Sequence, residues 1–216
     1  MWGVLYLLRE AGGRPFDGAD VRRIAEVGPS LIAALRSYVT AGPVALSAHA
    51  PPPSVLIVAA DGRIGATTPQ ARPWLEAMTA RQNVPDWLIE SSFAALAAAA
   101  REHARNPRRH NPLLCVPSSG SGWWTAIDAQ PLGDDGDVAV VIQRATGTLL
   151  LPSFCDWYAI TARERQIMHH LQDGSAPKQI ARLLDLSVHT INEHLRAIFR
   201  KTGTCGRNEL VAAITA

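Results

Sequence analysis

The last sixty residues carry helix-start and helix-stop signals so closely spaced that only short helices and tight turns fit between them. The first helix begins at a capping box, in which Thr161 accepts from a first-turn amide and Glu164 bonds back to the Thr161 amide. The pair Asp173-Gly174 ends this helix after about three turns. This end of the chain is therefore predicted to be a small helical bundle.

Three more helices follow with the same punctuation. Ser175 is the expected cap of the second helix, and Pro177 lies in its first turn, where a missing amide hydrogen costs nothing. Ser187 caps a third helix, which ends at Gly203. Residues 208–214 form the fourth. Because a short turn separates the second helix from the third, the spacing predicts a helix-turn-helix.

The third helix concentrates polar side chains beside an apolar stripe. At about 100° per residue, the stripe consists of Val188, Ile191, Leu195, Ile198 and Phe199. The adjoining arc holds His189, Asn192, Glu193, Arg196 and Arg200. A solvated surface, a metal site and a DNA groove all use such residues. A metal site fits least well, because His189 with Asn192 or Glu193 supplies two ligands and no third is evident.

Positive charge is concentrated in the same region. The whole chain has a formal net charge of only +2. Residues 156–216 hold eight Lys and Arg against six Asp and Glu, whereas the rest of the chain has thirteen of each. The basic excess therefore lies entirely around the predicted helix-turn-helix. This mild basic excess is compatible with a nucleic acid as the partner.

The segments ITARERQIMHHLQDG, IARLLDLSVHTINEHLRAIFRKTG and RNEL resemble the LuxR-type helix-turn-helix over about residues 156–216. The resemblance implies a transcriptional regulator that binds specific sequences of double-stranded DNA. It also implies a homodimer that associates through the fourth helix. The helix-turn-helix proper would span about residues 176–195, and His194 would be a structural residue near the core.

The same resemblance assigns the residues that would contact DNA. Those that would meet base edges are Asn192, Glu193 and Arg196, with His189 at the margin. Those that would contact phosphates are Ser187, Thr190, Lys178, Arg200, Lys201 and Arg207. Family members commonly have Lys at position 192 and an apolar residue at 193, so this sequence departs from the pattern. Because a glutamate repels phosphate, the alternative is an interaction or dimerisation module with weakened DNA binding.

The middle of the chain alternates in a different way, as strand, strand, helix, helix and three strands. Asp61-Gly62 is a hairpin signal between the first two strands, and a second Asp-Gly turn lies in GDDGD before the last strand. The helices are predicted at 69–79 and 85–105, and the three later strands at 113–116, 123–132 and 138–144.

This order, with the segments SVLIVAADGRIGATTPQARPWL and GWWTAID, resembles a PAS domain over residues 54–146. The resemblance implies a five-stranded antiparallel sheet with helices over one face, and a role in sensing a small-molecule signal or in dimerisation. The chain as a whole is therefore expected to be an α+β protein, with an all-α LuxR-type domain of four helices at 153–216.

The first residues, MWGVLYLLRE and RPFDGADVRRIAEVGPSLIAAL, resemble the last strand and last helix of a GAF domain. The predicted strand covers residues 2–8. The predicted helix covers 20–39, and Pro29 is expected to kink it or break it in two. Residues 1–42 would form this incomplete GAF-like segment, and 43–53 a Pro-rich linker.

Composition argues against several classes of protein. The cysteines at 115, 155 and 205 are odd in number and far apart, which favours a reducing cytoplasm and buried apolar cysteines. An enzyme that pairs Cys115 or Cys155 with a histidine is the alternative from another class, but no motif supports a pairing. We expect no enzyme activity, cofactor or metal. A signal peptide or membrane span is not expected, since no stretch reaches the ~20 apolar residues that a span needs.

Overall fold

The computed structural model of this chain describes residues 13–40, 50–79, 85–107, 112–117 and 123–215. Its strands are β1 (Ser54–Val58), β2 (Ile64–Thr67), β3 (Leu113–Pro117), β4 (Trp124–Leu132) and β5 (Asp137–Arg144). Its helices are α1 (Gly18–Thr40), α2 (Ala71–Thr79), α3 (Asp86–Arg105), α4 (Gly147–Trp157), α5 (Ala162–Gln172), α6 (Pro177–Leu183), α7 (Val188–Thr202) and α8 (Arg207–Thr215). The α+β class is confirmed.

The five strands form one antiparallel sheet in the order β2-β1-β5-β4-β3. The β1–β2 turn contains Gly62 with a φ of +86°, a conformation that favours glycine. There the Asp61 carboxylate accepts from the Arg63 amide at 2.9 Å. The β4–β5 turn uses Gly133 and Gly136 in the same way, with φ of +64° and +85°. The predicted sheet and both hairpin turns are therefore confirmed.

One face of the sheet is covered by α2 and α3. Leu56 and Val58 of β1 are buried on this face together with Trp74 of α2. The Trp74 indole Nε1 donates to the carbonyl oxygen of Pro52 at 2.8 Å. Its ring meets the edge of Trp123 with centroids 6.4 Å apart. These contacts hold α2 against the residues that immediately precede β1 and β4.

Arg101 ties α3 to two turns of the sheet. Its guanidinium donates to the carbonyl oxygen of Ala59, just after β1, and to that of Gly136, just before β5, at 2.8 Å each. Hydrogen bonds from a charged donor are stronger than neutral ones. One side chain thereby holds the β1–β2 and β4–β5 turns against the same helix.

The other face of the sheet is covered by α4, a helix that the sequence analysis did not predict. Its residues Leu150, Leu151, Phe154 and Cys155 are buried in the same cluster as the α5–α8 helices. The helix contacts β3 and β4 on one side and α5 and α8 on the other. Because both sides are covered, α4 is apolar nearly all round and lacks the one-sided pattern that reveals a surface helix. Pro152 inside it conceals it further.

An aromatic cluster joins the sheet to α4. The ring of Trp124 on β4 lies 6.0 Å from that of Phe154 and 6.2 Å from that of Trp157. Phe154 in turn lies 4.5 Å from Tyr158. The helices of residues 54–146, α2 and α3, therefore lie over one face of the sheet as predicted, and α4, which follows these residues, brings the helical bundle against the second face.

Several local predictions also need correction. Ala176, rather than Ser175, is the N-cap of α6, and its amide donates to the Gln179 side chain at 2.7 Å. Val188 is 38% exposed, so it lies outside the buried stripe of α7. Cys205 is exposed, unlike Cys115 and Cys155.

At the amino-terminal end, α1 is a single helix that contains Pro29, so of the predicted kink or break the break does not occur. The predicted strand at 2–8 and most of the predicted linker lie outside the described residues. The boundary expected between 146 and 153 falls within α4, which starts at Gly147. The domain limits, including the GAF-like assignment, stay a prediction.

Candidate DNA-binding surface

The helix α7 is fixed at both ends by the signals that the sequence contains. The Ser187 hydroxyl accepts from the Thr190 amide at 3.0 Å, and Gly203 ends the helix with a φ of +70°. Ile191, Leu195 and Ile198 are buried in the core of the bundle. Because one stripe is buried and both ends are capped, the opposite side of α7 is held rigidly toward solvent.

The turn between α6 and α7 is closed by backbone bonds and by one side chain. Asp185 takes a φ of +52°, and the Leu186 amide donates to the Ala181 carbonyl oxygen at 2.8 Å. The Arg163 guanidinium of α5 donates to the Leu184 carbonyl oxygen, also at 2.8 Å. Arg163 therefore connects α5 to the end of α6.

The polar residues predicted to meet base edges do share one exposed side of α7. His189, Asn192, Glu193 and Arg196 are all exposed. Glu193 and Arg196 form an ion pair, with 2.5 Å between Oε1 and Nη1, while their side chains remain 52% and 73% exposed. The acid therefore lies one turn from the guanidinium and directs it along the helix surface. His194 is half-buried, and its structural role stays a prediction.

The residues predicted to contact phosphates divide into two groups. Lys178 and Arg200 are exposed, and Thr190 is half-buried beside Ser187, with 2.9 Å between the two hydroxyl oxygens. Lys201 is instead half-buried, and its ammonium donates to Glu164 Oε2 at 2.6 Å and to the Ala159 carbonyl oxygen at 3.1 Å.

Arg207 belongs to the second group as well. Its guanidinium donates to the carbonyl oxygens of Gly174 and Ser175 at 3.2 Å each. These carbonyls follow the end of α5, so Arg207 connects α8 to the α5–α6 turn. Lys201 and Arg207 therefore already have partners inside the bundle, and their first role is to hold its helices together.

Glu164 is a buried charged residue at the start of α5. Only 5% of its side chain is exposed. Its Oε2 accepts from the Thr161 amide at 2.7 Å, completing the predicted capping box, and also from Lys201. Burial alone would raise the pKa of Glu164, but the hydrogen bonds from Lys201 and Thr161 outweigh it and lower the pKa below its ordinary value. The carboxylate is therefore ionised at neutral pH and requires its partners.

The groups that could support other chemistry are poorly placed for it. Burial raises the pKa of Cys115, and raises that of Cys155 to about 11, so both are thiols rather than nucleophilic thiolates at neutral pH. Across the described ranges, no three His, Cys, Asp or Glu side chains converge as metal ligands would. Within those same ranges, no helix is long and apolar enough to cross a bilayer.

The comparison with known families bears on this bundle directly. Residues 159–214, which begin just after α4 and end within α8, match GerE, the bacterial regulatory proteins of the luxR family. These residues form a LuxR-family helix-turn-helix domain. The recognition made from the sequence is thereby confirmed for this end of the chain.

A curated relative adds a second comparison. The monoamine regulon transcriptional regulator of Klebsiella aerogenes is 47% identical to this chain over 53 residues. That stretch is 24% of this chain, which thus spans only 23% of the relative's length.

Solved structures with similarity along more of the chain are distant. The phage VqmA–DPO complex is 20% identical, with a TM-score of 0.32, and the match covers 88% of each chain. The Vibrio cholerae VqmA–ligand–DNA complex is 17% identical, with a TM-score of 0.33, over 75% of this chain and 80% of that one. Scores this low do not inform the fold of the present chain.

The sequence did not indicate the role of Arg163, which joins two helices of the LuxR-family domain. Arg163 matched the family pattern, but its bond to Leu184 depends on how α5 crosses α6. Its position two residues after the capping threonine was the available signal. Spacing alone does not state which carbonyl a guanidinium reaches.

Proposed function

We propose that this protein is a transcriptional regulator that binds specific sequences of double-stranded DNA as a homodimer. The LuxR-family domain would place α7 in the major groove. Asn192, Glu193 and Arg196 would meet base edges, with His189 at the margin. Asn pairs with adenine, Arg with guanine, and Glu accepts from cytosine.

The observation that carries the proposal is the rigid, exposed polar side of α7. Its residues are held by the Ser187 cap at one end and by the buried Ile191, Leu195 and Ile198 beneath. Base readout needs such a fixed helix, because each hydrogen bond to a base edge depends on position. Lys178 and Arg200, together with the Ser187–Thr190 pair, would contact phosphates around it.

Lys201 and Arg207 complete the predicted phosphate set in a different manner. Both side chains are half-buried, because their hydrogen bonds inside the bundle keep them from extending into solvent. We infer that they contribute positive potential to the DNA-facing region while they hold α5, α7 and α8 together. Electrostatic attraction to DNA acts over several ångströms and requires no direct contact.

The PAS-like part is proposed to sense a small-molecule signal or to take part in dimerisation. Two polar groups support the first role, because Ser54 Oγ and Trp123 Nε1 are buried without a hydrogen-bond partner in the described structure. Both lie on the face of the sheet covered by α2 and α3. Buried polar groups are rarely left unpaired in proteins, so a polar ligand would be stabilised there.

A second function, an interaction module with weakened DNA binding, has one observation in its favour. Glu193 places a negative charge on the side of α7 that would face DNA. The ion pair with Arg196 reduces that objection, since the carboxylate charge is partly neutralised by its neighbour. DNA binding therefore remains the function that the geometry supports better.

Fluorescence anisotropy with labelled duplex DNA tests the proposal. The 216-residue chain is expected to bind duplex DNA with an affinity that falls as salt rises, with a slope of about −0.9 per phosphate contacted. The double variant Lys178→Ala/Arg200→Ala is expected to lower that slope by about two. Absence of any salt-dependent binding by the folded protein would contradict the proposal.

A further inference from the structure

Most of the large apolar side chains that are exposed in the described residues belong to one helix, α1. The six on this helix are Val21, Ile24, Val27, Ile32, Leu35 and Tyr38, with exposed fractions from 36% to 78%. Apolar patches of this extent on a soluble surface are typical of protein–protein contacts. The helix has 23 residues, which corresponds to a rod about 35 Å long.

The apolar residues of α1 follow a heptad spacing. Intervals of three and four residues alternate along Val21, Ile24, Gly28, Leu31, Leu35 and Tyr38. This alternation keeps one seam on the same side of the helix over five turns, as in helices that pack lengthwise against another helix. Val27 and Ile32 flank the seam and widen it.

The charges of α1 lie away from this seam. Between residues 21 and 38, the charged side chains are Arg22, Arg23, Glu26 and Arg36, and all four fall on the opposite half of the helix. Two identical helices that face each other through charged positions would bring like charges together. A seam without charge is therefore compatible with a second copy of the same helix.

Among the described residues, contacts within the chain leave most of this seam exposed, while Gly28 and Leu31 near its middle are half-buried. The helix α1 contacts α4, yet Val21, Leu35 and Tyr38 remain 62%, 41% and 78% exposed. In α8, the helix through which the family resemblance implies dimerisation, Leu210 and Ile214 are buried inside the bundle. The apolar surface available for association is therefore greater on α1 than on α8.

We propose that α1 packs lengthwise against α1 of a second copy of this chain. This inference rests on the homodimer of the proposed function and assigns it a surface. Because α1 contacts α4 and α4 contacts α8, the paired helices would lie next to the LuxR-family domain. Dimer formation would then bring two such domains together without using the buried residues of α8.

Analytical ultracentrifugation of the full chain without DNA tests this surface. The unmodified chain is expected to be a dimer at micromolar concentration. In Ile24→Asp/Leu35→Asp, two carboxylates per copy enter the seam, and the dissociation constant is expected to rise at least about 100-fold. The matched control Ser30→Asp/Ala33→Asp adds the same charge to the far side of α1 and should remain dimeric.

Two results would overturn the proposal. One is a monomeric unmodified chain at about 100 µM, a concentration far above that of a specific dimer's dissociation constant. The other is a dimer that survives in Ile24→Asp/Leu35→Asp but dissociates in Ala212→Asp, which alters α8. A dimer that uses α1 but does not bind DNA would contradict the proposed function and leave this inference standing.

Cysteine cross-linking keeps the test valid if the aspartates unfold α1. Ile24→Cys and Leu35→Cys are made separately in a Cys205→Ser background, because Cys205 is the exposed native cysteine of the described residues. Oxidation of a mixture of both is expected to give covalent dimers, since parallel helices join equal positions and antiparallel helices join 24 to 35. Ser30→Cys is the control on the far side. Equal yields from Ser30→Cys and from the mixture would also overturn the proposal.

Discussion

Glu193 and Arg196 form an ion pair on the exposed side of α7, with 2.5 Å between the carboxylate and the guanidinium. An exposed pair of this kind contributes at most about 1 kcal/mol to stability, so its consequence is geometric rather than energetic. In this arrangement the Arg196 guanidinium lies along the helix surface beside the Glu193 carboxylate. The residue that departs from the family pattern is therefore the partner of the residue expected to read guanine.

The first prediction separates base readout from phosphate contact. Arg196→Ala is expected to relax base preference at one position of the site, with a loss of about 1–3 kcal/mol for the preferred base. Lys178→Ala is its matched control, because it should weaken all sequences alike and lower the salt slope by about one. Binding titrations with duplexes that differ at single positions measure both effects. Equal loss of preference in the two variants would contradict the assignment.

The second prediction concerns the buried Glu164–Lys201 pair. Lys201→Met leaves the Glu164 carboxylate buried without its cation, and the free energy of unfolding is expected to fall by about 2 kcal/mol or more. Glu164→Gln/Lys201→Met removes both charges and should recover part of that loss. Urea denaturation of the three proteins measures the difference. A loss of DNA affinity in Lys201→Met without any loss of stability would instead indicate a direct phosphate contact.

The third prediction is the pH dependence that follows from the lowered pKa of Glu164. The pKa of Glu164 is lower in the folded state than its ordinary value of 4.5 in the unfolded state. The ionised carboxylate therefore stabilises the fold, and this contribution is complete above about pH 4.5. The contribution disappears as the pH falls through the folded-state pKa. Denaturation curves between pH 7 and pH 3 should show a smaller fall in stability for Glu164→Gln than for the unmodified protein. Parallel curves would contradict this account.

The fourth prediction addresses the junction between the sheet and the LuxR-family domain. Trp124 packs on Phe154 and Trp157 of α4, so Trp124→Ala is expected to cost about 3–5 kcal/mol. Because the junction is a shared core, sheet and bundle should unfold together in the unmodified protein and separately in the variant. Differential scanning calorimetry distinguishes one transition from two. Trp87→Ala, at an exposed position on α3, is the control, and it should change neither the stability nor the number of transitions.

The fifth prediction distinguishes the three cysteines. Cys205 is exposed, whereas burial raises the pKa of Cys115 and Cys155. A thiol-reactive dye at pH 7.5 is expected to label one cysteine quickly in the folded protein and three after denaturation. Cys205→Ser should abolish the fast phase. Rapid labelling of Cys155 in the folded protein would show that its side of α4 opens readily.

Local chemistry made much of the fold predictable. The Thr161–Glu164 capping box and the Ser187 cap depend on residues three positions apart, so the sequence contains all the information they need. Asp61-Gly62 is equally local, because the turn requires a positive φ at the glycine. The exposed set on α7 followed from helical periodicity, since a single buried stripe determines which residues remain outside.

Features that depend on distant parts of the chain were not predictable. The helix α4 has no one-sided pattern, because the sheet covers one of its sides and the bundle covers the other. The Lys201–Glu164 bond joins residues 37 positions apart, so the family resemblance assigned Lys201 to phosphate without indicating this partner. The same resemblance assigned Arg207 to phosphate, although its guanidinium reaches the α5–α6 turn.

Selection of binding sites from random duplex DNA by the 216-residue chain tests the central claim most directly. The account predicts enrichment of a short common sequence, with a guanine whose preference is lost in Arg196→Ala. Selection should be carried out at low salt, where weak phosphate contacts still contribute. If the folded, dimeric protein enriches no sequence under these conditions, α7 does not read DNA and the proposed function is wrong.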